Sequence, residues 1–431
     1  MAIGPAHDIV LRRWPELARR MAAAPALADV RTMQHTPYPC LVAAGIHLHS
    51  AYDPSREAAL QASLVPPASE RAWLYGPGDG ELARHLLRRP ALRQLEVVCC
   101  NLALAELVLH QDELQDWLED PRVTLHYAAD LPGMAKPFTA VPSYLRLADA
   151  ACLRLRDQVL LELATPYINT LFAERQQDLQ RQVEANQTAL AHDADVATLF
   201  GTRPGCTCVV TGAGPSLADQ YDWLRRQRHR YTLISVDAAL APLGQAGLFP
   251  DFALAIDASD LIQRFVTALP PEPYLQVPLV YFPTTNAGVL RSWPGARLCA
   301  WPATAAFERL YPPPPRGRLF SAGSVIHPAV DLGVQLGAAT VILAGADFAF
   351  PGQRSHVAGS DANLYQVGEA RDLLPNGRNE PVPTVPALRG FLRDLERFIA
   401  DHGRVRFLNS SREGALIHGT DVLDEGFRHD G

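Results

Sequence analysis

One pattern recurs from residue 206 onward and leaves little freedom of fold: a short apolar run, a turn bearing glycine or a carboxylate, then a segment with helical spacing. The runs lie at 208–211, 231–235, 252–256, 279–282, 297–300, 340–344 and 405–408. Most are apolar nearly throughout rather than alternating, the pattern of strands covered on both faces. Helical segments are predicted between most of them, among them 217–227, 238–246 with Gly247 as its stop, and 324–336 with Gly337 as its stop. Strands separated by helices are joined by crossovers, so the expected fold is α/β with a mostly parallel, Rossmann-like sheet.

In such a sheet, ligands gather beyond the carboxyl ends of the strands. The predicted ends carry Gly212-Ala213-Gly214-Pro215-Ser216, Asp237, Asp257 and Gly345-Ala346-Asp347. Gly212 and Gly214 permit tight backbone geometry, and Ser216 opens a predicted helix whose free N–H groups suit a phosphate. Ser216 with Asp219 also reads as a capping box, which serves only the helix itself. Asp237 and Asp257 have the chemistry to hold ribose hydroxyls, a base edge or a divalent cation, and either alone also suits a turn. Ser321, Gly323 and Ser324 form a second polar helix start, with His327 in its first turn as a functional or a core histidine. Beyond Asp347 follows a loop with Gly352, Ser355, His356 and Gly359. Imidazole titrates nearest neutrality, so His356 is the candidate general base. Asn409, Ser410 and Ser411 stand at the last predicted strand end.

Residues 1–148 show a second α/β rhythm, in "RAWLYGPGDGELARHLL", "LEVVCCNLALAELVL" and "DPRVTLHYA". Gly76, Gly78 and Gly80 imitate a nucleotide-binding turn. The next predicted strand ends in Cys99, Cys100 and Asn101 rather than in a ribose-binding acid, which favours a smaller accessory domain over a working nucleotide site. His47 and His49 alternate on a predicted strand, a spacing that suits structure more often than metal. Residues 149–203 read as a helical connector broken at Pro166, and "GTRPG" at 201–205 marks the boundary to a third region, 204–431.

The 39 basic residues form no block and the net charge is −7, so nucleic acid is not an expected partner. Asp331, Gln335 and Asp347 interrupt the longest apolar region, and no membrane span is predicted. The N-terminal segment reads as a basic amphipathic helix rather than a secretion signal, which makes a cytoplasmic location the expectation. The seven cysteines contain no CxxC pair and read as small core residues, so no metal site is predicted from them.

"VVTGAGPSL", "ISVDAALAPLGQAGLFPDFALAIDAS", "GSVIHPAVDLGVQLGAATVILAGADFAF" with the following "SHVAG", and "NSSREGALIHG" resemble the motility-associated factor (Maf) family of bacterial flagellin glycosyltransferases. The resemblance extends to "YPCLVAAGIHLHSAYDP" near the N-terminus. That family's central domain is similar to bacterial sialyltransferases that use CMP-sugars and to a 6-hydroxymethylpterin diphosphokinase. The resemblance implies transfer of a nonulosonic acid, pseudaminic or legionaminic, from a CMP donor to Ser or Thr of flagellin. It places Gly212, Gly214, Pro215, Ser216 and Gly345 near the donor, Asp237, Asp257 and Ser324 around the nucleotide, and Asp347 and His356 at the chemistry. Where those sialyltransferases have asparagines this chain has Asp237 and Asp257, and two carboxylates beside a phosphate call for a cation such as magnesium. Two other readings stand beside this one: a magnesium-dependent diphosphokinase that acts on a pterin-like alcohol with ATP, and a non-catalytic nucleotide-binding module of flagellar or envelope assembly.

Overall fold

The computed structural model describes residues 5–27, 29–33, 38–109, 115–304, 317–360, 367–370 and 372–423. The chain divides into two compact units, Met1–Pro166 and Tyr167–Gly431.

In the first unit, β1 (Val30–Met33), β2 (Cys40–Ala43) and β3 (Ile46–His47) form a small antiparallel sheet. β4 (Arg71–Tyr75), β5 (Gln94–Cys99), β6 (Val123–Tyr127) and β7 (Phe138–Ala140) form a parallel sheet in the order β6-β5-β4-β7. The chain steps outward from β4 to β6 and then returns to the other side of β4, so the strand order reverses between β4 and β7. Leu74, Leu95, Val97 and Val98 from these strands and Leu86 and Leu104 from the covering helices build its core.

The second unit holds a nine-stranded sheet ordered β20-β19-β16-β9-β10-β11-β12-β13-β8. Its members are β8 (Ala194–Asp195), β9 (Thr207–Thr211), β10 (Thr232–Val236), β11 (Phe252–Ala255), β12 (Leu279–Tyr281), β13 (Arg297–Cys299), β16 (Thr340–Ala344), β19 (Arg406–Asn409) and β20 (Asp421–Val422). Every pairing in it is parallel. The fold is therefore α/β with a Rossmann-like parallel sheet, as the continuous apolar runs require. Two short pairs accompany it, β14 (Trp301–Pro302) with β15 (Arg318–Leu319), and the hairpin β17 (Asp372–Pro375) with β18 (Pro381–Thr384).

The seven runs read from sequence coincide with β9 to β13, β16 and β19 to within a residue at either end. Three local expectations are corrected. The helix Leu153–Glu174 continues through Pro166, because turns on both sides outlast the one hydrogen bond that proline forfeits. Residues read as the end of the helical connector instead form the edge strand β8, paired with β13. The segment 217–227 is a 3₁₀ turn, Pro215–Gln220, followed by a helix of one and a half turns, Tyr221–Arg226.

Candidate functional site

The chain lays β9 through β13 in one direction across the sheet and then places β16 on the other side of β9. The strand order therefore reverses between β9 and β16, the position at which doubly wound sheets receive their ligands. Thr211 of β9 lies level with Ala344 of β16 and with Ser235 of β10, so the first residues beyond each strand meet at one height.

The β9 and β16 loops are tightly joined. Gly212 and Gly214 donate backbone N–H bonds to Ala344 O and Gly345 O, each at 2.8 Å. A Cβ on Gly212 would lie 2.5 Å from Gly345 O, and one on Gly214 would lie 2.4 Å from Asp347 Oδ2. Asp347 is 5% exposed, and its carboxylate accepts the Ser216 N–H at 2.9 Å and the Ser216 hydroxyl at 2.5 Å. Burial pushes its pKa up to about 6 against the lowering effect of those two bonds, while Asp219 raises it and Arg354 lowers it. Two sequence expectations change here. The Ser216 hydroxyl bonds to Asp347 rather than to its own turn, and the anion seated on the Ser216 amide is the protein's own carboxylate.

Phe348 follows with φ 48°, a left-handed conformation rare for a bulky residue, and the Thr384 hydroxyl holds its carbonyl at 2.8 Å. The hairpin β17–β18 thus fastens the exit of β16. His356 comes eight residues later, half-buried, with a pKa lowered by burial. The next residue, Val357, donates its N–H to Ala213 O at 2.9 Å, which brings the His356 segment onto the glycine loop of β9. A Cβ on Gly359 would lie 2.6 Å from Gln245 Oε1, so the same loop continues to the end of the helix Asp237–Gln245.

Asp237 opens that helix at the end of β10 and is 3% exposed. Burial pushes its pKa up to about 7, opposed by the Ala238 N–H bond at 2.7 Å and reinforced by the nearby Asp257 carboxylate. Asp257 is exposed and accepts the Ser259 N–H at 2.8 Å. Because the folded state holds the Asp237 proton well above its ordinary value of 3.8, stability is full in acid and falls as pH rises through about 7. Forcing the charge into this site costs on the order of 4 kcal/mol. Urea denaturation at pH 5 and pH 8 is expected to show wild type losing stability over that interval and Asp237→Asn losing markedly less. Parallel losses in the two proteins would refute the assignment.

The other predicted residues lie as follows. Ser324 is half-buried, and its carbonyl accepts the His327 N–H ahead of the helix Ile326–Leu336. His327 is a core residue with no exposed surface, its Nε2 2.9 Å from Phe391 O and its pKa pushed down to about 4 by burial, so it carries no charge near neutrality. Asn409 accepts the Ser411 N–H in a local turn, and the Ser410 N–H donates to Leu343 O. Among the described residues, no three His, Cys, Asp or Glu side chains gather to hold a metal, and no helix is long and apolar enough to cross a membrane. All seven cysteines are free.

Sequence reasoning missed the polar brace at the end of β12. Thr285 Oγ1 donates to Ala255 O and accepts from Phe282 N–H, and Asn286 N–H donates to Asp257 O. Asn186 donates to Pro283 O and Thr285 O from a distant helix end, so the backbone of Asp257 is fixed through partners that no local motif reveals. Arg354 was also missed; its exposed guanidinium acts on Asp347 from the loop that carries His356.

Residues 181–353 match the family model described as 6-hydroxymethylpterin diphosphokinase MptE-like, which takes in the glycine loop, Asp237, Asp257, Ser324 and Asp347 and ends before His356. No curated protein matches the sequence. Among solved structures, a MAf glycosyltransferase from Magnetospirillum magneticum AMB-1 is similar at 16% identity and a TM-score of 0.48, over 97% of this chain and 74% of the other.

Proposed function

We propose that the second unit is a glycosyltransferase that moves a nonulosonic acid, of the pseudaminic or legionaminic type, from a CMP donor to serine or threonine hydroxyls of flagellin. The observation that carries this reading is the convergence on one strand-order reversal of a glycine loop, two acids from the neighbouring strand ends and a neutral, loop-borne histidine. The sequence resemblance supplies the sugar and the acceptor.

In this reading Gly212, Gly214, Pro215, Ser216 and Gly345 form the floor, and Asp347 keeps that floor in place. Asp237, Asp257 and Ser324 take the nucleotide, and Arg354 faces the leaving phosphate. The bond between the anomeric carbon and the phosphate oxygen breaks, and its electron pair leaves with CMP. The acceptor oxygen bonds to the anomeric carbon, and its proton passes to His356. The exposed Asp257 would be the residue to hold a magnesium ion, which would supply positive charge to the leaving phosphate.

The matched family model favours a second reading, magnesium-dependent diphosphate transfer from ATP to a pterin-like alcohol. Calorimetry separates the two. CMP is expected to bind the full chain, and Asp257→Ala, an exposed change that leaves the core intact, is expected to weaken it about tenfold. Release of CMP from a CMP-nonulosonate in the presence of flagellin completes the test. AMP release from ATP and magnesium would establish the diphosphokinase, and CMP binding without release of either nucleotide would mark a non-catalytic module.

A further inference from the structure

We infer that the first unit carries a ligand site of its own, for a neutral hydroxylated ring of monosaccharide size, in a cavity beside the small antiparallel sheet and the start of the helix Pro54–Ala62. An open cavity of about 320 Å³ is lined by Met33, His47, His49, Ser50, Tyr52 and Glu57 among others. A recess with about 10 Å³ of free space, room for one water, shares His49 and Glu57 and reaches Gly78, Asp79 and Val141. Gly78 and Asp79 follow β4, and Val141 follows β7. The small recess, and not the cavity itself, thus borders the reversal between β4 and β7, where a doubly wound sheet receives its ligand.

Its walls are fixed by the backbone. The Ser143 hydroxyl donates to Leu48 O at 2.8 Å, the Cys40 thiol to His49 O at 3.1 Å, and the Ser50 N–H to Glu57 Oε2 at 2.6 Å. His49 Nδ1 lies 3.1 Å from Ser50 O, which makes it the donor to that carbonyl, and 3.9 Å from Asp79 Oδ2.

Four features select the ligand class. Among the described residues, neither lining set contains lysine or arginine, which argues against a phosphate. The nucleotide position over the glycine turn is filled by the protein itself: Tyr144 donates its hydroxyl to Gly78 O, and its Cβ stands 2.6 Å from where a Gly76 Cβ would be. The acids are already partly engaged, Glu57 by the Ser50 N–H and the Gln61 amide and Asp79 by the Glu81 N–H, so their remaining lone pairs suit hydroxyl protons better than a bare cation. Tyr52 is 77% exposed on the cavity wall and offers a flat face to the C–H side of a sugar ring.

Saturation-transfer NMR on the full chain, with methyl α-D-glucopyranoside, methyl α-D-mannopyranoside and N-acetylglucosamine as probes, tests the site. Transfer to at least one sugar is expected, with millimolar affinity. Tyr52→Ala, at a surface position, is expected to weaken it about tenfold, the scale of one lost stacking ring, while Asp257→Ala in the other unit leaves it unchanged. No transfer to any probe, transfer indifferent to both Tyr52→Ala and His47→Ala, or displacement of the sugar by AMP would each overturn the assignment.

Discussion

Gly214→Ala is expected to destabilise the second unit by about 3–5 kcal/mol, a large share of the stability of an ordinary domain. The backbone is not the obstacle: Gly214 has φ −67°, which any residue adopts. The obstacle is contact, since the new Cβ would stand 2.4 Å from Asp347 Oδ2 and 2.6 Å from Gly345 O. Neither neighbour gives way cheaply. Gly345 O already accepts the Gly214 N–H, and the Asp347 carboxylate is held by two bonds from Ser216. Relief would separate the β9 and β16 loops and leave the buried Ser216 donors unsatisfied, which costs about 1–3 kcal/mol per group by itself. Gly403→Ala is the matched control, because no heavy atom lies within 4 Å of its Cβ position and its backbone lies outside the left-handed region. Urea titration should separate the two variants clearly, and coincident midpoints would show that the two loops are not coupled.

The same contact shows what local sequence could convey. The central strands were legible because a strand buried on both faces has to be apolar nearly throughout, and Thr340–Ala344 emerges with the bounds its composition suggests. The order of the strands is a different matter. Nothing within "CVVTGAGPSL" announces that β16 lies beside it, and Ser216 read as a cap for Asp219 takes a partner 131 residues away. The hairpin β17–β18 escaped notice because Pro375, Pro381 and Pro383 lie in its strands, and proline normally argues against a strand. β8 and β20 are two-residue edges, too short for any periodicity. His327 and His356 look alike as letters in loop-to-helix settings. Only the three-dimensional packing separates the fully buried one from the one tethered beside the glycine loop.

His356→Ala is expected to reduce kcat by roughly 100- to 10,000-fold, the usual contribution of a positioned proton acceptor, with a smaller effect on donor binding. The pH dependence distinguishes this role from a structural one. A general base works unprotonated, and burial lowers the His356 pKa from its ordinary 6.5, so wild-type kcat should persist below pH 6.5 and decline only further into acid. At the other end, Asp237 loses its proton as pH rises through about 7, and the new charge stands where a donor phosphate has to approach. Its effect should appear as a rising KM with little change in kcat. Each limb then belongs to one residue. His356→Ala should abolish the acidic decline in kcat and keep the alkaline rise in KM, whereas Asp237→Asn should do the reverse. An acidic decline that survives in His356→Ala would assign the proton transfer to another group, even if the variant were slow.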